Sequence, residues 1–110
     1  MSALTIRPGQ TVEKDPSAIK VYEFDWTNWL AASPLGSSAQ ISGSPVFTIG
    51  GADAVLTKDQ ESVVSGNLKT RVRLSAGTLG VTYMVSCKVS TNESPAQTDE
   101  RSFFVRIVNK

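Results

Sequence analysis

From Leu68 to Ile107 the chain alternates apolar and polar residues with a period of two. Leu68, Thr70, Val72 and Leu74 alternate with Lys69, Arg71, Arg73 and Ser75, which predicts a half-buried antiparallel strand with one apolar and one wet, cationic face. Ala76-Gly77-Thr78-Leu79-Gly80 breaks it. Val81, Tyr83, Val85, Cys87 and Val89 then alternate with Thr82, Met84, Ser86, Lys88 and Ser90, the clearest strand in the chain. After a turn over residues 92–97, Phe103, Val105 and Ile107 form the matching inward set of a final strand. Directly opposed residues of paired antiparallel strands share a face, so the even-numbered residues Met84, Phe104, Arg106 and Val108 are expected together on the outside. Such an apolar cluster with an Arg fits a protein contact, or a surface that a helical turn or the N-terminal segment folds over.

Upstream the pattern is weaker. Residues 1–16 are polar and broken by Pro8, Gly9 and Pro16, and read as an N-terminal arm or short edge strand. Residues 17–110 read as the folded domain. Ile19 to Phe24 is a strand candidate with Tyr22 and Phe24 inward. Asp25 is placed to cap a helical turn near residues 25–32, with Trp26, Trp29 and Leu30 on one stripe and Pro34 and Gly36 ending it. Short strands follow at Ala39 to Ser42, at Val46, Phe47 and Ile49 before Gly50-Gly51, at Ala54 to Leu56, and at Ser62 to Ser65. Lys58-Asp59-Gln60-Glu61 reads as a polar loop between the last two. About seven short strands and no long amphipathic helix predict an all-β, antiparallel β-sandwich. Tyr83, entered through a Gly-rich corner, resembles the tyrosine corner of immunoglobulin-like sandwiches, although it lies four residues before Cys87 rather than two.

Composition narrows the function. At 110 residues with 40% hydrophobic and 19% charged positions, the chain is expected to build one core unaided. A net charge of +1 lacks the basic face that nucleic acid requires, so no nucleic-acid partner is expected. A single cysteine and no histidine leave no intrachain disulfide and no multi-Cys metal site, and remove the commonest general base. No stretch approaches the roughly 20 apolar residues of a membrane span, and the N-terminus does not look like a signal peptide, so no membrane partner and assembly in the cytosol are expected. Asn92-Glu93-Ser94 therefore reads as a turn rather than a glycosylation site.

No catalytic constellation emerges, and neither a cofactor nor a metal is expected. Asp53, Asp59 and Glu61 do not follow a calcium-loop spacing, and Gly50-Gly51 lacks the remainder of a phosphate loop. Cys87, on the inward face, reads as a small core hydrophobe. Trp26 and Trp29 read as a core plug, with a sugar or peptide platform including Tyr22 as the alternative. Thr98-Asp99-Glu100-Arg101 reads on charge alone as a solvated hairpin shoulder.

Four segments in consistent order carry a resemblance: Lys14-Asp15-Pro16, Tyr22-Glu23-Phe24-Asp25-Trp26, the run from Leu74 to Tyr83, and Thr98-Asp99-Glu100-Arg101-Ser102. Together they resemble the phage fiber-tail adaptor proteins, small virion proteins of tailed phages. The resemblance implies an immunoglobulin-like sandwich without enzymatic activity that helps attach tail fibers to the tail of the virion. It also implies synthesis in the host cytoplasm, several copies around the tail, and tail adaptor or nozzle and tail-fiber proteins as partners. On this reading the interface candidates are Lys14, Asp15, Met84, Thr98, Asp99, Glu100, Arg101, Phe104 and Arg106, and Trp26, Trp29, Tyr83, Cys87 and Phe103 are structural. Exposed sandwich edges could also be extended by a neighbour's strand. The polar segment 1–13 and the loop from Pro34 to Ser44 depart from the family pattern. Rival roles for the same fold are a capsid decoration or head-completion protein and a carbohydrate-binding module.

Overall fold

The computed structural model describes residues 3–32, 39–51, 53–64, 66–92 and 96–109. The expectations placed on Pro34 and Gly36, on the first part of the 34–44 loop, and on Glu93 and Ser94 lie outside these residues. Among the described residues nine elements follow one another: β1 (Leu4–Ile6), β2 (Thr11–Lys14), β3 (Lys20–Asp25), α1 (Thr27–Ala31), β4 (Ile41–Gly50), β5 (Thr57–Val64), β6 (Lys69–Ser75), β7 (Thr82–Thr91) and β8 (Thr98–Ile107). They form two four-stranded sheets, β1-β3-β6-β5 and β2-β8-β7-β4, packed as an all-β sandwich.

The closing hairpin follows the parity of its sequence. Tyr83 opposes Val105 and Val85 opposes Phe103, all buried, while Met84 opposes Phe104 and Thr82 opposes Arg106 on the other face. In β6, Thr70, Val72 and Leu74 point inward and Lys69, Arg71 and Arg73 outward. Tyr22 and Phe24 of β3 lie beside Val72 and Thr70 on the same inner face, and across the core Phe103 of β8 packs 5.4 Å from the Tyr22 ring and 5.6 Å from the Phe24 ring.

Two expectations change. The sheets are mixed rather than purely antiparallel, because the N-terminal segment adds one parallel edge strand to each. β1 pairs parallel with β3, the chain turns through Pro8 and Gly9, and β2 pairs parallel with β8. Gly9 N–H on Ser102 O (2.8 Å) and Phe104 N–H on Gln10 O (2.8 Å) hold the crossing. The segment read as an arm or short edge strand supplies an edge strand to each sheet.

The middle of the chain is also more continuous than its turn signals suggest. Gly43 and Pro45 bulge β4 between Ser42 and Val46 instead of ending it, as an edge strand allows. Lys58-Asp59-Gln60-Glu61 lies within β5, not in a loop. A bulge with Gln60 at φ 53° aims Asp59 at Arg73 (2.6 Å) and sets Glu61 beside Lys58 (2.9 Å), so ionic pairing replaces apolar alternation along that edge.

Asp25 sits one residue before the helix cap. Its carboxylate accepts from Thr27 N–H (3.0 Å) and Thr27 Oγ1 (2.5 Å), while Trp26 occupies the cap position without a side-chain bond. Those bonds, the Thr27 hydroxyl foremost, hold the Asp25 carboxyl below its ordinary value, with Lys69 and Arg101 adding to the effect.

Between β6 and β7, Gly77 adopts φ +108°, and a Cβ there would come within 2.6 Å of Ile107 Cδ1. Gly66 is also left-handed (φ +70°) but faces open space. Gly77→Ala is expected to cost about 2–4 kcal/mol, backbone strain plus overpacking. Gly66→Ala should cost only the strain, about 1–2 kcal/mol. Urea unfolding of both variants checks the difference, and equal losses would contradict the close packing at Ile107.

Candidate contact surfaces and the closed ends

A two-sheet sandwich presents two ends and two outer faces, and the candidate residues distribute among them. At the end carrying the β6–β7 corner, Lys14 is fully buried. Its ammonium donates to Ala76 O (2.7 Å) and Asp15 O (3.0 Å), tying the end of β2 to the corner. Desolvation holds the Lys14 pKa below its ordinary value, against the opposing charge of Asp15. In this chain Lys14, expected at an interface, is thus enclosed among carbonyls rather than presented on the surface. Asp15 is half-buried and caps its own turn by accepting Ser17 N–H at 2.8 Å.

Tyr83 completes this end. Its hydroxyl accepts from Thr78 N–H (3.0 Å), the bond back to upstream backbone that a tyrosine corner makes, and donates to Asp53 Oδ1 (2.5 Å). Thr78 Oγ1 donates to the other Asp53 oxygen at 2.8 Å. The Tyr83 hydroxyl, the Val55 amide and the Thr78 hydroxyl together hold the Asp53 carboxyl low. Asp53 was read only as a poor metal ligand. Its distance of 30 residues from Tyr83 hid this role.

The opposite end is closed by Trp26. Its indole is fully buried and donates to Thr70 Oγ1 (3.0 Å), which in turn lies 3.4 Å from Cys87 Sγ. Arg101 covers it, with its guanidinium carbon 4.2 Å from the ring centroid and one N–H on Asp25 O at 3.1 Å. Trp29, half-buried, packs edge-on to Trp26 at 5.3 Å. With Trp26 enclosed and Tyr22 buried, these aromatics form no open platform for a sugar.

The charged block thus divides. Arg101 points along the inward parity of β8 and seals the core, whereas Thr98, Asp99 and Glu100 are exposed. Asp99 accepts only the neighbouring Glu100 N–H (2.8 Å) among the described residues.

The two outer faces differ in chemistry. On sheet β1-β3-β6-β5, Glu23 is 7% exposed beneath Arg71 (3.0 Å) and Lys69 (3.8 Å), and Arg73 holds Asp59, so the face is an ionic lattice. On sheet β2-β8-β7-β4, register produces rows. Glu13 and Arg106 form an exposed ion pair (2.9 Å) beside Thr82, followed by Phe104 beside Met84, Ser102 beside Ser86 and Thr48, and Glu100 beside Lys88 and Val46. Met84 is 43% exposed and Val46 58%, with Phe104 half-buried. β2 extends this sheet at its edge and α1 follows a strand of the other sheet, so neither lies over the face.

The sequence reading named Met84, Phe104 and Arg106 here and missed Lys88 and Val46. Lys88 lay in the outward set but carried no motif, and Val46 was assigned to a separate short strand.

A family model described as "Podophage GP4 fiber-tail adaptor protein gp77" matches residues 14–106. No curated protein matches the sequence. Among solved structures, the chain is similar to the cysteine protease inhibitor EhICP2 from Entamoeba histolytica, with 11% identity, a TM-score of 0.49, and coverage of 96% of this chain and 92% of that one.

Arg101→Ala is expected to expose the Trp26 ring, shifting its fluorescence to longer wavelength and costing about 1–2 kcal/mol, whereas Glu100→Ala should stay within about 0.5 kcal/mol. Equal effects would contradict the lid. At the same end, burial pushes the Cys87 thiol up from 9.0 to about 11, partly opposed by Thr70 and Arg101. Because the folded value is raised, the stabilisation is complete below pH 9 and is lost as the unfolded thiol ionises toward pH 11. Tyr22, pushed by burial from 10.0 to about 12, adds a loss of the same sign above pH 10, while Lys14, depressed, acts oppositely below 10.5. Cys87→Ala should therefore flatten the decline of stability between pH 9 and 10, read by denaturant titration across pH. An unchanged slope would remove the thiol as its source.

Proposed function

The chain belongs to the podophage GP4 fiber-tail adaptor family, and from that premise we propose that it joins tail fibers to the tail of the virion, in several copies, as a binding component. The family is one of structural tail proteins, which places the chain among proteins of the virion tail in association with partners such as the tail fiber. The observation that carries the reading is the family match across residues 14–106, which takes in both closed ends and all but the last residue of the hairpin.

The outer face of β2-β8-β7-β4 is the contact surface this reading selects. It combines the exposed Met84 and Val46 with Phe104 around a flat centre of small hydroxyl residues, and the Glu13–Arg106 pair lies at its margin. Apolar side chains interspersed with hydroxyls and bordered by charges suit a protein contact. The other outer face keeps its charges in internal pairs and offers a partner mainly groups already satisfied. Arg106 and Glu100 stand at opposite ends of the selected face and supply orientation, while Asp99 and Thr98 border it.

Phe104→Asp tests the surface. The side chain is half-buried and outside the core, so the variant chain is expected to keep a cooperative thermal transition. Phage carrying it should yield particles with few or no fibers by electron microscopy and a large loss of infectivity. Fully fibered particles would remove this face from the attachment.

A further inference from the structure

The outer face of β2-β8-β7-β4 has a property that its composition alone does not reveal. Across β7 and β8, directly opposed outward pairs join compatible groups: Met84 with Phe104, Ser86 with Ser102, and the opposite charges of Lys88 and Glu100. Lys88 and Glu100 are both exposed, and neither has an ion-pair partner among the described residues. Ser86 and Ser102 bond to one another at 2.7 Å, which satisfies their hydroxyls and leaves the middle of the face low and flat.

The geometry points to a second copy of this chain as an occupant of the face, related by a twofold axis that runs along the strands between β7 and β8. Rotation about that axis lays β7 of each copy on β8 of the other. Phe104 then meets the other copy's Met84 twice, the two serine pairs meet at the centre, and each unpaired Lys88 meets a Glu100. No like charges come together, and the two lone charges of the face find their complements. Packed sheets cross at about 30°, and the Phe104 and Glu100 rows lie roughly 7 Å from the centre. The crossing displaces these rows by about 4 Å, which Lys and Met side chains span.

Strand addition at the edges, the other common route to self-association, is poorly served. β4 carries a bulge and Pro45, β5 carries a bulge and six consecutive polar or charged residues, and β1 and β2 have only 3 and 4 residues. The available area also sets the strength. Strand spacing and rise give roughly 500 Å² per copy, at the lower limit of specific interfaces. The contact is therefore weak between free chains and effective where copies are concentrated on a particle.

This inference rests on the reading of this face as a contact surface, and charge exchange tests it without relying on fibers. Sedimentation equilibrium of the purified chain up to about 1 mM should show a monomer–dimer equilibrium. Lys88→Glu and Glu100→Lys, each confirmed folded by thermal melting, should separately weaken association by about tenfold or more, since each sets like charges together twice. An equimolar mixture of the two variants should associate at least as tightly as the parent, because only the mixed dimer restores both pairs. Mixing leaves each chain's internal contacts unchanged, so the recovery reads the contact between chains alone. A parent that is monomeric throughout, or a mixture no tighter than its components, would overturn the twofold contact. Fiber loss in Phe104→Asp particles, scored separately, would then still uphold the attachment surface.

Discussion

Two sheets about 10 Å apart enclose an interior little more than one layer of side chains deep. Such an interior meets water at both ends unless something closes it. In this chain each end is closed around one cation: the Lys14 ammonium on Ala76 O and Asp15 O, and the Arg101 guanidinium over Trp26 and on Asp25 O. The long side chains cover apolar surface while their charged groups satisfy carbonyls that would otherwise be left at the rim. Each link joins distant parts of the sequence, 62 residues apart for Lys14 and Ala76 and 76 for Arg101 and Asp25. The sheets, their register and the rigidity of the outer faces all presuppose these closures.

The segments that identify the family meet at the same places. Lys14-Asp15-Pro16 binds the corner that lies within the run from Leu74 to Tyr83, and Asp25-Trp26 binds Arg101 of the charged block. The motifs are thus largely the two halves of two closures. Met84, Val46 and Lys88, by contrast, occupy outward positions of strands whose inward positions are held by the core.

Legibility in the sequence followed the range of the interactions. Parity along β6, β7 and β8 was readable because a half-buried strand writes its burial in every second residue, and Tyr83, Cys87, Phe103 and Trp26 all occupy the interior. β5 was not readable as one strand, since its regularity comes from Arg73 on Asp59 across the sheet rather than from its own apolar residues. Lys14 defeats the usual rule that lysine lies outside, because two carbonyls replace the water its ammonium loses. Arg101 defeats a simpler assumption, that adjacent charges share a fate. One step along a strand reverses the face, so Glu100 stands in solvent while Arg101 covers the core.

The same parity bears on how such a domain can add contacts without losing its fold. In the β7–β8 hairpin the odd positions 83–89 and 103–107 are committed to the core, so an outward substitution alters the surface while the inner set keeps the register. Register then fixes what stands opposite what across the hairpin: Met84 opposes Phe104, and Lys88 opposes Glu100. A surface built from such opposed unlike pairs is complementary to its own image turned about the hairpin axis, whereas opposed like pairs would repel it. The alternation that gives the hairpin its inner face therefore also determines whether its outer face can accept a copy of itself.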